Sequence, residues 1–232
     1  GGAVHYMPGS IASFIDTVPG APVFVTRLNA LTYNGSVDPT VTLPFAGRVI
    51  AGADVDVTGF GLTLVFSPEI NMPDKWNYAM SATIPMVNMH LTGTATPVAG
   101  GPTINVKDSE VGLGDLVLQP IMLNYQSSPD FAITSRLTVY APTGDYTKGK
   151  LANTGKNYWS YEPTVSFFYF GKKNGREAAL YLGTTFNGEN DATDYKSGTQ
   201  FHAETTLAQH FPLAGGLAGV GLTGAYYRQI GN

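Results

Sequence analysis

Residues 131–141 read Phe-Ala-Ile-Thr-Ser-Arg-Leu-Thr-Val-Tyr-Ala, alternating one by one. Phe131, Ile133, Leu137, Val139 and Ala141, with Ser135 among them, hold the odd positions. Ala132, Thr134, Arg136, Thr138 and Tyr140 hold the even ones. Successive side chains of a strand point to opposite faces. The stretch therefore predicts a β-strand with one apolar face and one polar face carrying a single charge.

The same period extends outward in both directions. In 158–170, Trp159, Tyr161, Val165, Phe167 and Tyr169 oppose Ser160, Glu162, Thr164 and Ser166. In 177–187, Ala178, Leu180, Leu182 and Phe186 oppose Glu177, Tyr181, Thr185 and Asn187. In 198–210, Phe201, Ala203 and Leu207 oppose Gln200, His202, Glu204, Thr206 and His210, and 217–229 sets Val220, Leu222 and Tyr226 against glycines, Thr223, Tyr227 and Gln229. Less regular strands are expected at 21–34, 48–66, 76–91 and 115–125. In 48–66 the apolar parity changes between Val57 and Phe60, which predicts a bulge near Gly59. The reading gives about nine strands of roughly 10–16 residues, where about five or six residues is usual in a soluble sheet.

Composition explains what those two faces are for. Of 232 residues only 13% are charged, with 13 Lys+Arg against 17 Asp+Glu and a net charge of -4. An ordinary soluble domain carries about 25%. There are 28 glycines and no cysteine, which excludes a disulfide scaffold and a thiolate metal site. With no basic excess, no nucleic-acid partner is expected. No run approaches the ~20 apolar residues of a membrane helix, and the first ten residues have neither a basic nor an apolar leader region. Strands that turn an apolar face to lipid and a polar face to a lumen account for a chain poor in charge but not apolar overall.

The connections agree. Short ones at 67–75, 126–130, 171–175 and 211–216 alternate with longer ones at 35–47, 92–112, 142–157 and 187–197. That is the layout of an antiparallel up-and-down transmembrane β-barrel in a Gram-negative outer membrane. Trp76, Tyr78, Tyr125, Tyr140, Tyr158, Trp159, Tyr226 and Tyr227 near strand ends are expected to form interfacial girdles. An open edge in lipid leaves backbone groups unsatisfied, and single-chain bacterial barrels have even strand numbers. The odd count therefore carries the expectation that further strands complete the barrel. Residues 1–20 are too irregular for a strand and read as a periplasmic or plug-like segment ahead of a barrel domain at 21–232, with Met7, Ile11, Phe14 and Ile15 as its apolar residues.

On the polar face, Arg136, Glu162, Gln200, His202 and Glu204 are the expected pore-lining residues. Arg136 and Glu162 lie on neighbouring strands and can pair or stand as separate charges. His202 and Glu204, two apart, point the same way. They read as a polar lumen wall, with a metal or acid–base site as the alternative. Asp54 and Asp56 supply too few oxygens for calcium, and no metal or cofactor is expected. Asp145, Tyr146, Asn153, Asn190, Asp194 and Tyr195 lie in the long loops and are the expected constriction if those loops fold inward. Gly144 suits a tight turn there, and Asp145 and Asp194 suit local side-chain-to-backbone bonds. No Gly-x-Ser-x-Gly elbow, phosphate loop or zinc-protease motif occurs, so no enzyme is expected. The alternatives kept open are an outer-membrane enzyme with a His/Glu site in the lumen or at its rim, and a soluble β-sandwich binding protein.

Several motifs together resemble a known family. Ala141-Pro-Thr-Gly-Asp-Tyr146, then Leu151, Asn153, Gly155 and Tyr158, then Asn187-Gly-Glu-Asn190, Thr193-Asp-Tyr195 and Ser197-Gly198 are similar to those of a proteobacterial outer-membrane channel family named for a meta-pathway of phenol degradation. His5-Tyr-Met-Pro-Gly-Ser10, Pro19-Gly20, Gly112-Leu-Gly-Asp-Leu116 and Pro120 fit its N-terminal half. The resemblance implies a monomeric twelve-stranded barrel, with about three strands beyond the Tyr-x-x-Gln segment ending at Gln229. It also implies small-molecule solutes, aromatic and hydrophobic compounds first, and outer-membrane lipid and lipopolysaccharide as surroundings.

Overall fold

The computed structural model describes residues 5–6, 18–36, 42–45, 48–97 and 102–231. The strands are β1 (Val23–Ser36), β2 (Thr42–Phe45), β3 (Arg48–Ser67), β4 (Trp76–Pro97), β5 (Ile104–Leu113), β6 (Leu116–Ser128), β7 (Phe131–Ala141), β8 (Ser160–Phe170), β9 (Arg176–Asn187), β10 (Glu189–Asn190), β11 (Tyr195–Lys196), β12 (Gln200–Leu213) and β13 (Gly216–Gln229). Nine of them form one antiparallel meander in the order β1-β3-β4-β6-β7-β8-β9-β12-β13. These are the nine strands the alternation predicts. Among the described residues β1 pairs only with β3, and β13 only with β12.

Polarity is inverted relative to a soluble domain. The largest fully buried side chains are His202, Gln200, Glu162, Glu204, Thr185, Thr206, Ser160 and Ser197, all polar. On the opposite face of the same strands, Leu207 is 61% exposed, and Leu180, Phe186 and Tyr161 are also exposed. A soluble sandwich would bury these apolar groups at about 25 cal/mol per Å². Only a lipid environment makes this face favourable, so the sandwich reading fails. Among the described residues the apolar core cluster is small: Val18 of the N-terminal segment with Ala79 and Met122, against which Val65 packs.

Some connections differ from the sequence reading. The stretch 92–112 is mostly strand: β4 runs on to Pro97 and β5 pairs with it from Met86↔Leu113 to Ala95↔Ile104. Each face of β5 mixes polar and apolar residues, so no alternation marks it. The expected loop at 35–47 contains β2, and 187–197 contains the β10–β11 ladder. The bulge in β3 lies between Ala51 and Asp54, not near Gly59. Gly52 there has φ 59°, a conformation glycine adopts at little cost. From Asp54 on the register is continuous. Val57 faces inward and Phe60 outward without any change of parity. Asp54 and Asp56 are exposed, and Asn34 Nδ2 donates to Asp56 Oδ1. The β12–β13 hairpin closes on Ala214 (φ 51°) and Gly215 (φ 81°) alone, the mirror-image turn that matches strand twist.

The aromatic girdle is also partly revised. Trp76, Trp159 and Tyr226 are exposed at strand ends, and Trp76 contacts Tyr125 at 5.1 Å between ring centroids. Tyr140 and Tyr158, however, are buried on the inner face. Both occupy inward positions of the alternation, so strand parity overrides closeness to a strand end.

Candidate functional site

The inner face of β7, β8, β9 and β12 is a continuous polar wall. Thr134, Arg136, Thr138, Glu162, Thr164, Thr185, Gln200, His202, Glu204 and Thr206 are all buried. The five predicted lining residues therefore share one face. Arg136 stands opposite Thr164, and Glu162 opposite Thr138, so these two charges are diagonal neighbours.

Glu162 is one acceptor of the wall. Thr185 Oγ1 donates to its Oε2 at 2.7 Å, and His202 Nε2 lies 3.4 Å from the same oxygen. The neighbouring Glu204 takes a different partner, its Oε1 accepting from the Tyr6 hydroxyl. The Tyr6 ring stacks on His202 with centroids 3.7 Å apart and planes at 18°. It also stacks with Tyr227 at 6.1 Å and 14°. Toward the short turns, His210 Nε2 lies 2.5 Å from Glu177 Oε2, with Phe170 edge-on to the imidazole.

At the long-loop end a second node forms where the β5–β6 strand breaks. Asp115 accepts from Gly144 N–H (2.9 Å) and Lys156 N–H (2.7 Å). His5 Nε2 lies 2.8 Å from its Oδ2. Nδ1 of His5 is 3.0 Å from Ser160 Oγ, and Ser160 Oγ donates to Asn187 Oδ1 at 2.7 Å. His5 stacks on Tyr140 at 4.6 Å and meets Tyr158 edge-on. Burial holds the His5 pKa below its ordinary value, outweighing the pull of Asp115 in the other direction. Burial alone would raise Asp115, but the bonds from His5, Gly144 and Lys156 outweigh it and leave its pKa lowered.

The long loops are tied to the wall. On the less exposed face of β5, Asp108 Oδ2 accepts from Leu151 N–H (2.8 Å) and Ala152 N–H (3.0 Å). Glu110 pairs with Lys150 on that same face. Asp145 Oδ2 accepts from Leu113 N–H at 3.0 Å. Its bond is therefore long-range, not the local one the sequence suggests. Asn153 holds the loop together, taking Thr147 N–H at 2.7 Å and donating to Lys150 O at 2.9 Å. Asn190 joins the two loops, accepting from Asn157 Nδ2 (2.9 Å) and donating to Lys156 O (3.1 Å). Tyr146 and Tyr195 are half-buried, and Asp194 is exposed with φ 51°. Gly144 lies in a bend and also allows close approach: a Cβ there would sit 2.7 Å from the Gly155 Cα and the Gly114 carbonyl carbon.

Sequence reasoning missed His5, Tyr6 and Asp115 as wall residues, whereas the alternation placed Tyr140 and Tyr181 on the polar face. Tyr181 was legible as an inward position of β9, but His5 and Tyr6 lie outside any periodic segment. Of the N-terminal apolar residues, Met7, Ile11, Phe14 and Ile15 lie outside the described residues. Among the described residues no group of three or more His, Asp or Glu is placed to hold a metal ion.

Comparison with known proteins agrees with this geometry. Residues 33–232 match the family described as "Putative MetA-pathway of phenol degradation". No curated protein matches. Among solved structures, an outer membrane channel from Pseudomonas putida F1 superposes with a TM-score of 0.55 at 16% identity, over 90% of this chain and 76% of that one. The fold is therefore that of an outer-membrane β-barrel.

Proposed function

The chain belongs to this phenol-degradation family, and from that premise we propose that it is a channel of the bacterial outer membrane through which small molecules diffuse passively, aromatic and hydrophobic compounds first. The observation that carries the reading is the inverted polarity: an exposed apolar face around a buried wall of Arg136, Glu162, Gln200, His202 and Glu204. The apolar face meets lipid and lipopolysaccharide, and the protein works as a monomer.

The N-terminal segment acts as a partial plug. His5 and Tyr6 bind the inner wall toward the long loops, and Val18 packs on it at Ala79 and Met122. The loops at 142–157 and 187–197 narrow the mouth, with Asp145, Tyr146, Asn153, Asn190, Asp194 and Tyr195 shaping it. Ser160, His5 and Asp115 have the atoms of a nucleophile–base–acid relay. Ser160 is fully buried and directs its hydroxyl to Asn187, so we assign the trio to holding the segment.

Liposome swelling with the full chain across phenols, aromatic acids and sugars tests the reading. Faster swelling for the phenols is expected. Equal rates would leave a non-specific pore, and no swelling with any solute would remove the channel.

A further inference from the structure

Tyr6 is a phenol held in the lumen by groups of the wall. Its ring lies against the His202 and Tyr227 faces, and its hydroxyl donates to Glu204. His202 and Tyr227 are directly opposite one another on β12 and β13, and Glu204 is two residues along β12. Their spacing is thus fixed by the backbone ladder and does not depend on the ring they hold. The imidazole of His202 stacks also with Tyr181 at 5.8 Å. His202 is fully buried, and among the described residues neither ring nitrogen makes a hydrogen bond, Nε2 only approaching Glu162 Oε2 at 3.4 Å. A buried ring held by one long polar contact is costly, so packing is a weak reason for an imidazole here.

We infer that the slot formed by Glu204, His202 and Tyr227 is a binding subsite for phenols, in which the Tyr6 side chain stands where the solute ring binds. The side chain of tyrosine beyond its Cα is 4-methylphenol, so the contacts seen with Tyr6 are those a phenolic solute makes. Stacked rings supply the area and an ionised or hydrogen-bonded acceptor supplies selectivity. Toluene fills the same space but leaves the Glu204 carboxylate without that donor, which is costly in a buried site. Benzoate brings a further carboxylate beside those of Glu204 and Glu162, and like charges repel. The order expected is therefore phenols above both hydrocarbons and aromatic acids. The inference rests on the channel reading for its purpose, but not for its measurement.

The test uses the full chain in detergent with Tyr6→Ala, titrated calorimetrically with 4-methylphenol, toluene and benzoate. Tyr6→Ala should bind 4-methylphenol at least roughly tenfold more tightly than the other two, the worth of one hydrogen bond to a charged group. The unsubstituted chain should bind it more weakly than Tyr6→Ala. Adding Glu204→Leu should abolish the preference over toluene. Equal binding of toluene, or a preference that survives Glu204→Leu, overturns the proposal. If Tyr6→Ala does not fold, refolding is scored by gel mobility with each compound present. Rescue by 4-methylphenol alone supports the slot, and rescue by all three or by none overturns it. Swelling of liposomes by phenols without slot binding would leave the channel and remove the subsite, and binding without swelling would do the reverse.

Discussion

His202 on β12 reaches Glu162 on β8 by passing over Gly183 of the intervening strand β9. The ion-pair distance is 3.4 Å, and Gly183 faces both Thr164 and His202 in the ladders on either side. A Cβ at Gly183 would lie 2.3 Å from His202 Cε1 and 2.4 Å from Nε2. No real contact is that short, so the imidazole occupies room that only glycine leaves. The contact between strands two apart in the sheet is thus set by one missing side chain.

Gly183→Ala should therefore lower stability by about 1–3 kcal/mol, the usual cost of overpacking a closed interior. The backbone at Gly183 is not left-handed, so space and not conformation carries the effect. Urea unfolding in detergent measures it. On a His202→Ala background the same substitution should cost far less, because the ring that clashes is gone and the two changes couple. Equal costs on both backgrounds would mean that the ring does not lie over Gly183.

Docking of the N-terminal segment should weaken in acid. His5 has a lowered pKa when docked, so its contribution is complete above the ordinary value of 6.5. As pH falls below that value, the undocked state binds a proton more readily, and the contribution is lost down to the depressed docked value. Asp115 has a lowered pKa too, so its contribution is present above 3.8 and is lost as pH falls through its docked value. Both losses have the same sign. Protease cleavage of the N-terminal segment should accelerate from pH 7 to pH 5 and again below pH 4, as checked by mass spectrometry. His5→Phe should remove the first step and leave the second.

Asn190 is the bracket between the two long loops. Asn190→Ala removes the bonds to Asn157 and Lys156 and also the one from Ala192 N–H at 3.0 Å. Because Asn190 is buried, the groups left behind lose partners away from bulk water, at about 1–3 kcal/mol. The loops should separate, and single-channel recordings should show a higher or noisier conductance. Unchanged traces would count against these loops as the narrowing element.

The sequence made the wall legible and left the lumen's contents hidden, for a physical reason. Lipid on one side and a polar lumen on the other impose a period of two on every residue of β7, β8, β9 and β12. Arg136, Glu162, Gln200, His202 and Glu204 could therefore be assigned to one face without a structure. Beyond the lipid no such demand acts, and β5 passed for a loop because Asp108 and Glu110 alternate with Lys107 and Ser109, polar beside polar. His5 and Tyr6 reach residues 110 and 198 positions away. No local pattern encodes such contacts. Gly144 and Gly155 were visible as glycines, but their backbone-to-backbone approach depends on the fold of the whole loop.

The outward face offers the most direct test of the membrane assignment. Leu207 sits in the middle of β12, between neighbours Ala178 of β9 and Leu222 of β13, and is 61% exposed. Replacing an exposed leucine by arginine on a water-facing surface changes stability by no more than about 0.5 kcal/mol. On the lipid face of a barrel near the bilayer midplane it costs about 2–4 kcal/mol, because the guanidinium must be buried in hydrocarbon or drag water inward. Leu207→Arg should therefore unfold at markedly lower denaturant than the unsubstituted chain when both are refolded into lipid vesicles. Thr206→Arg would be the wrong control, since that side chain points into the wall. Glu189→Arg, exposed in the β10–β11 ladder, should be nearly neutral in the same vesicles. If Leu207→Arg is as mild as Glu189→Arg, the apolar face does not meet lipid.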